Sequence, residues 1–257
     1  SGVSRAYKHL VLATGARNRL LDIPNAGLED VLYLRTLDES EALRQRFGAG
    51  GRVVVVGAGF IGLEFAATAR AKGLEVDVVE LAPRVMARAV TPEISEFFQR
   101  RHSEAGIRLH FGVQATSITS DEGRVTGVTL SDGRPITADL VVIGVGVLPN
   151  VELAAEAGLP VASGIIVDEH LLTADPDISA IGDCALFTSV RFGAPLRLES
   201  VQNATDQARC VAARLIGIES VNRASDHVFG RRILAVKGSI PPEQAADSTF
   251  DLKQALA

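Results

Sequence analysis

Residues 53–62 read Val-Val-Val-Val-Gly-Ala-Gly-Phe-Ile-Gly. No other stretch of the chain restricts the fold as strongly. Four consecutive β-branched residues specify a buried strand. Gly57, Gly59 and Gly62 follow at the spacing of a dinucleotide-binding turn. Gly57 permits the tight turn, Gly59 lets a pyrophosphate approach the backbone, and Gly62 lets the next helix pack closely on the strand. Phe60 and Ile61 open that helix, whose positive N-terminal end suits phosphate. Gly73 and a second apolar run, Val76-Asp77-Val78-Val79, lead to Glu80. An acid there accepts both ribose hydroxyls and repels a 2′-phosphate, which favours NAD(H) over NADP(H).

At 257 residues the chain has room for one large or two ordinary domains, and 47% hydrophobic residues supply a core without covalent staples. A formal net charge of −5 argues against general nucleic-acid affinity. Cys184 and Cys210 stand far apart, so neither a redox-active dithiol nor a cysteine-rich metal site is indicated, and both read as small buried hydrophobes. The five histidines, His9, His102, His110, His170 and His227, have no ligand spacing, so no metal is expected. No apolar run reaches the length of a membrane span, and the first residues lack the layout of a secretory signal. A soluble, cytoplasmic protein is the expectation.

The order of elements predicts an α/β fold. Residues 9–14 form a short buried strand and 17–27 a polar connection. A helix over 37–47, with Asp38 able to cap it, precedes strand 52–57, helix 60–72 and strand 75–80. Pro92 opens an amphipathic helix with Ile94, Phe97, Phe98 and His102 near one face. Residues 107–111, 113–119, 124–130 and 134–138 are short alternating runs broken by Asp121-Glu122-Gly123 and Ser131-Asp132-Gly133, an antiparallel meander. Residues 140–144 are another buried strand, 165–167 and 178–181 two more, and 200–215 a helix with Ser200 as N-cap. A strand-like run at 216–221 and a helix at 224–236 complete the pattern.

Several ordered motifs then point to one family: Leu10-Val-Leu-Ala-Thr-Gly-Ala16, the 57–62 turn with Leu63-Glu64, Gly144-Val-Gly-Val-Leu-Pro-Asn150, Ile181-Gly-Asp183 and Glu199-Ser-Val-Gln-Asn203. The chain resembles the FAD-dependent NADH:ferredoxin reductases of bacterial cytochrome P450 and dioxygenase systems, the putidaredoxin and rubredoxin reductase type. The resemblance covers nearly every residue. It departs in two places: the family's leading GxGxxG, which cradles the FAD pyrophosphate, precedes the first residue here, and a Trp-containing C-terminal segment has no counterpart. Two segments of the family pattern are therefore expected to be missing. The implied architecture is a Rossmann-like NAD-binding domain with an antiparallel meander (37–146), inserted in a partial FAD-binding domain (1–36 and 147–215), plus a partial α+β C-terminal domain (216–257).

The resemblance implies that NADH passes electrons through FAD to a small [2Fe-2S] ferredoxin, the reductase acting as a monomer. It implies that Glu64 fixes the nicotinamide amide, that Arg88 helps hold NADH, and that Gly146 lets the nicotinamide half approach the backbone. Arg84 is expected to pair with Glu80 or face solvent. Asp183, after Gly182, corresponds to the acid that accepts a ribityl hydroxyl of FAD, beside Thr14 and Gly15. Val201 and Gln202 would offer backbone N–H groups to the flavin pyrimidine ring, and Arg17 contacts FAD or stays on the surface. Arg223, Arg231 and Arg232 are read as a basic patch for an acidic ferredoxin or as a solvated face. Two other functions compete: a truncated NAD(H)-binding module without flavin or catalysis, and a flavoprotein similar to apoptosis-inducing factor. A disulfide reductase is disfavoured by the missing dithiol.

Overall fold

The computed structural model describes residues 4–47, 51–189 and 192–216. The C-terminal strand, helix and arginine patch expected from the sequence, with His227, lie outside the described residues. The chain divides into two compact units, a central one of Arg17–Leu148 and a second built from residues on either side of it, Ser1–Ala16 and Pro149–Ala257.

The core of the central unit is a five-stranded parallel sheet in the order Val31–Tyr33, Leu140–Ile143, Arg52–Val56, Glu75–Glu80, Arg108–Phe111. Val53 to Val56 are all buried because the strand is covered on both faces. Val53 and Val55 pack with Leu63, Phe65 and Ala66 of helix Phe60–Ala71. Val54 and Val56 pack with Ile118, Val125, Val128 and Leu130 of a three-stranded antiparallel sheet. Each fully buried valine contributes roughly 1.5–3 kcal/mol, so this strand anchors both layers. The pairing Val53↔Val76 through Val56↔Val79 brings the end of one strand level with the end of the next.

The structure corrects four expectations here. The meander has three strands, Ala115–Asp121, Arg124–Leu130 and Pro135–Thr137, not four. Arg108–Phe111 instead forms the edge of the parallel sheet, where Arg108 and His110 alternate with Leu109 because they pair with the buried Asp77 on the neighbouring strand. Thr36, not Asp38, caps helix Leu37–Gln45: its hydroxyl accepts from the Glu39 N–H while the Glu39 carboxylate accepts from the Thr36 N–H, a reciprocal capping box. Strand Val31–Tyr33 was not foreseen, and it ties residues 17–36, expected with the first flank, to the central sheet. Finally, helix Pro92–Glu104 forms as expected, but its apolar residues Ile94, Phe97 and Phe98 are exposed and the residue it buries is Ser95.

In the second unit, Leu10–Leu12 pairs in parallel with Ile178–Ala180 as a two-stranded sheet. Ile165–Val167 pairs in parallel with Ala185–Ser189, which pairs antiparallel with Ala194–Leu196. Helix Val201–Leu215 begins at the Ser200 cap, whose hydroxyl accepts from the Asn203 N–H. Val211 on that helix joins Ile165, Val167, Ala180 and Ala185 in the core of this unit. Cys184 is buried as expected, whereas Cys210 is exposed on the helix.

Candidate cofactor-binding site

The sheet sets the Gly57 turn at the carboxyl end of Arg52–Val56, the edge where ligands of open α/β sheets bind. Each glycine there answers a separate constraint. Gly57 has φ +106°, and a Cβ on it would meet the Gly144 carbonyl oxygen at 2.4 Å. A Cβ on Gly62 would meet the Gly57 carbonyl oxygen at 2.1 Å, so the helix cannot pack this closely with any other residue. Gly59 differs from both: a Cβ there meets nothing within 4 Å. Its lack of a side chain serves no neighbour in the protein and leaves the backbone open to a ligand. Gly146, at φ +100° and also open, lies on the adjoining turn after Leu140–Ile143. Phe60 and Ile61, on the first turn of the helix, are exposed.

Glu80 ends its strand with both carboxylate oxygens engaged. Oε2 accepts from the Ala58 N–H at 2.7 Å and Oε1 from the Ala82 N–H at 2.8 Å. Each oxygen retains a second lone pair for a sugar hydroxyl. The acid therefore fastens the glycine turn to its own strand. The site is an open corner. A cavity of about 590 Å³ lies elsewhere, toward the C-terminal ends of helices Phe60–Ala71 and Pro92–Glu104, lined by Arg70, Gly73, Arg101 and His102.

Glu64 is exposed one turn inside the helix. Arg88 is exposed on the segment after Glu80. Arg84 neither pairs with Glu80 nor faces solvent: it donates to the Val90 carbonyl at 3.0 Å and the Ala87 carbonyl at 2.8 Å. Arg17 is exposed.

The second unit brings together the remaining sequence candidates. Thr14 donates its hydroxyl to the Asn150 carbonyl at 2.6 Å, the Asn150 side chain donates to the Thr14 carbonyl at 2.8 Å, and the Asn150 N–H donates to the Gly15 carbonyl at 2.9 Å. Two motifs widely separated in sequence are thus one clasp, and the Thr14 hydroxyl is committed to it. Gly15 at φ +66° is open around its Cβ position. Gly182 has φ +76°, and its buried N–H donates to the Gln207 side-chain oxygen at 2.6 Å. Arg197 donates to the Asp183 carbonyl at 3.0 Å and pairs with Glu199 at 2.6 Å. The Gly182–Asp183 turn is therefore held from two sides, and a Cβ on Gly182 would lie 3.6 Å from the Ala204 Cβ in the first turn of helix Val201–Leu215. Val201 and Gln202 are exposed at that terminus, where N–H groups lack helical partners. These residues fit a flavin: an acid, positive-φ glycines and free helical N–H groups are the donor and acceptor set its ribityl chain and ring require.

Sequence reasoning missed Gln207, Arg197 and the clasp made by Asn150. Gln207 left a signal, a polar residue one turn before Val211 in the buried stripe of its helix. No cluster of three or more metal-ligating side chains occurs among the described residues, and among them no helix is long and apolar enough to cross a membrane.

This arrangement, a glycine turn on a parallel sheet with a strand-end acid, is that of a dinucleotide-binding α/β protein. The sequence pattern of the pyridine nucleotide-disulphide oxidoreductase family matches residues 1–208, and that of the reductase C-terminal domain matches 197–256. The chain belongs to that family, whose members use FAD and NAD(H). Rhodocoxin reductase of Rhodococcus erythropolis is 44% identical over 98% of this chain and 72% of its own length. Putidaredoxin reductase CamA of Pseudomonas putida is 44% identical over 82% of this chain, which spans 51% of it. Among solved structures, the ferredoxin reductase for the CYP199A2 system of Rhodopseudomonas palustris is 60% identical, with a TM-score of 0.81, covering 100% of this chain and 77% of that one.

Proposed function

We propose that this chain is an FAD-dependent reductase that takes electrons from NADH and delivers them to a small ferredoxin serving a P450 or dioxygenase. The observation that carries this reading is the 60% identity, across the whole chain, to a ferredoxin reductase for a P450 system. A solved complex of putidaredoxin reductase with putidaredoxin, whose reductase matches 97% of this chain at 32% identity, supports a ferredoxin as partner. A [2Fe-2S] centre in that ferredoxin, a monomeric reductase and a cytoplasmic location complete the proposal.

In this reading the Gly57–Gly62 turn takes the pyrophosphate of NADH, with Gly59 as the point of closest approach, and Glu80 takes the adenosine ribose. Arg88, exposed on the segment after Glu80, serves as a cation for the phosphates. Gly146 leaves room for the nicotinamide half, and the exposed carboxylate of Glu64 orients the carboxamide. Bound flavin supplies the conversion of a two-electron hydride donor into single electrons. The protein's part is orientation and field. Gly182 and Asp183 hold the ribityl chain, and the N–H groups of Val201 and Gln202 favour negative charge on the pyrimidine ring. Gly15 leaves space at the same unit, and Arg17 adds a surface cation.

Anaerobic titration of the purified protein with NADH tests this directly. A yellow protein whose flavin bleaches with NADH, and whose electrons then reduce a ferredoxin, supports the reading. A colourless protein that still binds NADH overturns it in favour of a nucleotide-binding module.

A further inference from the structure

The segment after Glu80 is built as a brace. It leaves the acid with the Ala82 N–H on Glu80 Oε1. Its Met86 N–H reaches back to the Ala58 carbonyl at 2.9 Å, inside the glycine turn. Ala58 is thus held on both sides, its N–H by Glu80 and its carbonyl by Met86. Reaching that carbonyl puts Met86, a non-glycine residue, at φ +48° with its side chain buried. Such a conformation is strained for a residue with a Cβ and persists only where the surroundings fix it. Ser95 donates its hydroxyl to the carbonyl of the fully buried Val85, Ala89 and Val90 donate N–H groups to the Met86 carbonyl, and Arg84 spans the curve with its two terminal nitrogens on the carbonyls of Ala87 and Val90. The two carbonyls that Arg84 grips flank Arg88 and Ala89.

We infer that Arg84 is a positioning residue for the adenosine half of the nucleotide: its guanidinium fixes the curve that presents Arg88 and braces the glycine turn through Met86. Two parallel donors in a rigid plane are needed to hold two carbonyls three residues apart, which a lysine ammonium on a flexible stem cannot reproduce. This rests on the reading of the Gly57 turn as the NADH site, and extends it from the residues that touch nucleotide to the one that sets their spacing. Arg84 itself points at backbone, so it acts through Ala58 and Arg88.

Direct binding to the full chain, by calorimetry, separates the possibilities. The probes are ADP-ribose, which carries the adenosine half and no redox-active ring, and nicotinamide mononucleotide, which carries the other half. R84A is expected to weaken ADP-ribose binding about tenfold, because the curve that presents Arg88 loses the two charge-assisted hydrogen bonds that fix it, and to leave nicotinamide mononucleotide binding unchanged. R84K, which keeps the charge and reaches one carbonyl, is expected to fall between, and it carries the test if R84A does not give a cooperative melt. ADP-ribose affinity within about twofold of the unmodified chain in both variants, or equal losses for the two probes, would overturn the inference. An unmodified chain that binds no ADP-ribose removes the nucleotide reading, and this inference with it.

Discussion

The Gly57 turn and the Gly182 turn each follow a short strand with a positive-φ glycine, and each is proposed to work with an acid, Glu80 for the first and Asp183 for the second. The Gly57 turn is braced by its own neighbourhood: the adjacent strand supplies Glu80, the following segment supplies Met86, and the parallel sheet behind it is five strands wide. The Gly182 turn is braced by side chains from farther along, Arg197 and Gln207, and the sheet beside it has two strands. The first turn is specified within one βαβ unit. The second depends on a helix that must arrive and offer a buried amide oxygen. A nucleotide turn of the first kind folds with its sheet, while one of the second kind is only as good as the packing of helix Val201–Leu215.

Substitutions can break this contrast. The largest effect falls on Gly62→Val. Its Cβ would overlap the Gly57 carbonyl at 2.1 Å, with no flexible side chain to give way. About 3 kcal/mol or more of destabilisation is expected, read as a fall in melting temperature of the central unit together with loss of NADH binding. Glu80→Ala comes next. It leaves the Ala58 and Ala82 N–H groups without their carboxylate and should cost about 2 kcal/mol. NADH affinity drops while rejection of NADPH relaxes, and steady-state kinetics with the two nucleotides measures both.

In the second turn, Gln207→Leu strands the buried Gly182 N–H and should cost about 1 kcal/mol. If the contrast holds, it weakens FAD retention and leaves ADP-ribose binding intact. A loss of both would show the two turns to be less independent than their bonding suggests.

The smallest effect is a pH dependence of stability. Burial of Asp77 opposes its charge, but hydrogen bonds from Arg108 and His110 outweigh it and hold the carboxyl below the ordinary carboxylate range. A carboxyl whose pKa is lower folded than unfolded adds stability that is complete above its unfolded pKa and is lost as pH falls through the folded one. Melting temperature should therefore fall below about pH 4, and D77N should flatten that dependence while lowering stability at neutral pH. An unchanged acid slope in D77N would refute the assignment.

The parts legible in the sequence follow the same contrast. Val53 to Val56, the three glycines and Glu80 could be read because each is fixed by neighbours within one unit of strand, turn and helix. The Ser200 cap was legible for the same reason. Arg108–Phe111 was misplaced because an edge strand of a parallel sheet shows the alternation of a half-exposed antiparallel one when charged residues find a buried partner, here Asp77. Ile94, Phe97 and Phe98 have helical spacing, yet they are exposed, because periodicity fixes which residues share a face and not what that face meets. Gln207, Arg197 and the clasp between Thr14 and Asn150 were illegible, since each bond joins residues whose proximity is created only by the fold.

Gly59 offers the most direct test of the nucleotide assignment. Its φ is −79°, open to any residue, and a Cβ there meets no protein atom within 4 Å. Gly59→Val should therefore still fold cooperatively, losing no more than about 1 kcal/mol as a poorer N-cap, while filling the space assigned to pyrophosphate. Calorimetric titration with NADH is predicted to show at least about a hundredfold loss of affinity, near 2.7 kcal/mol. A Gly59→Val protein that folds normally and binds NADH as tightly as the parent would contradict the account.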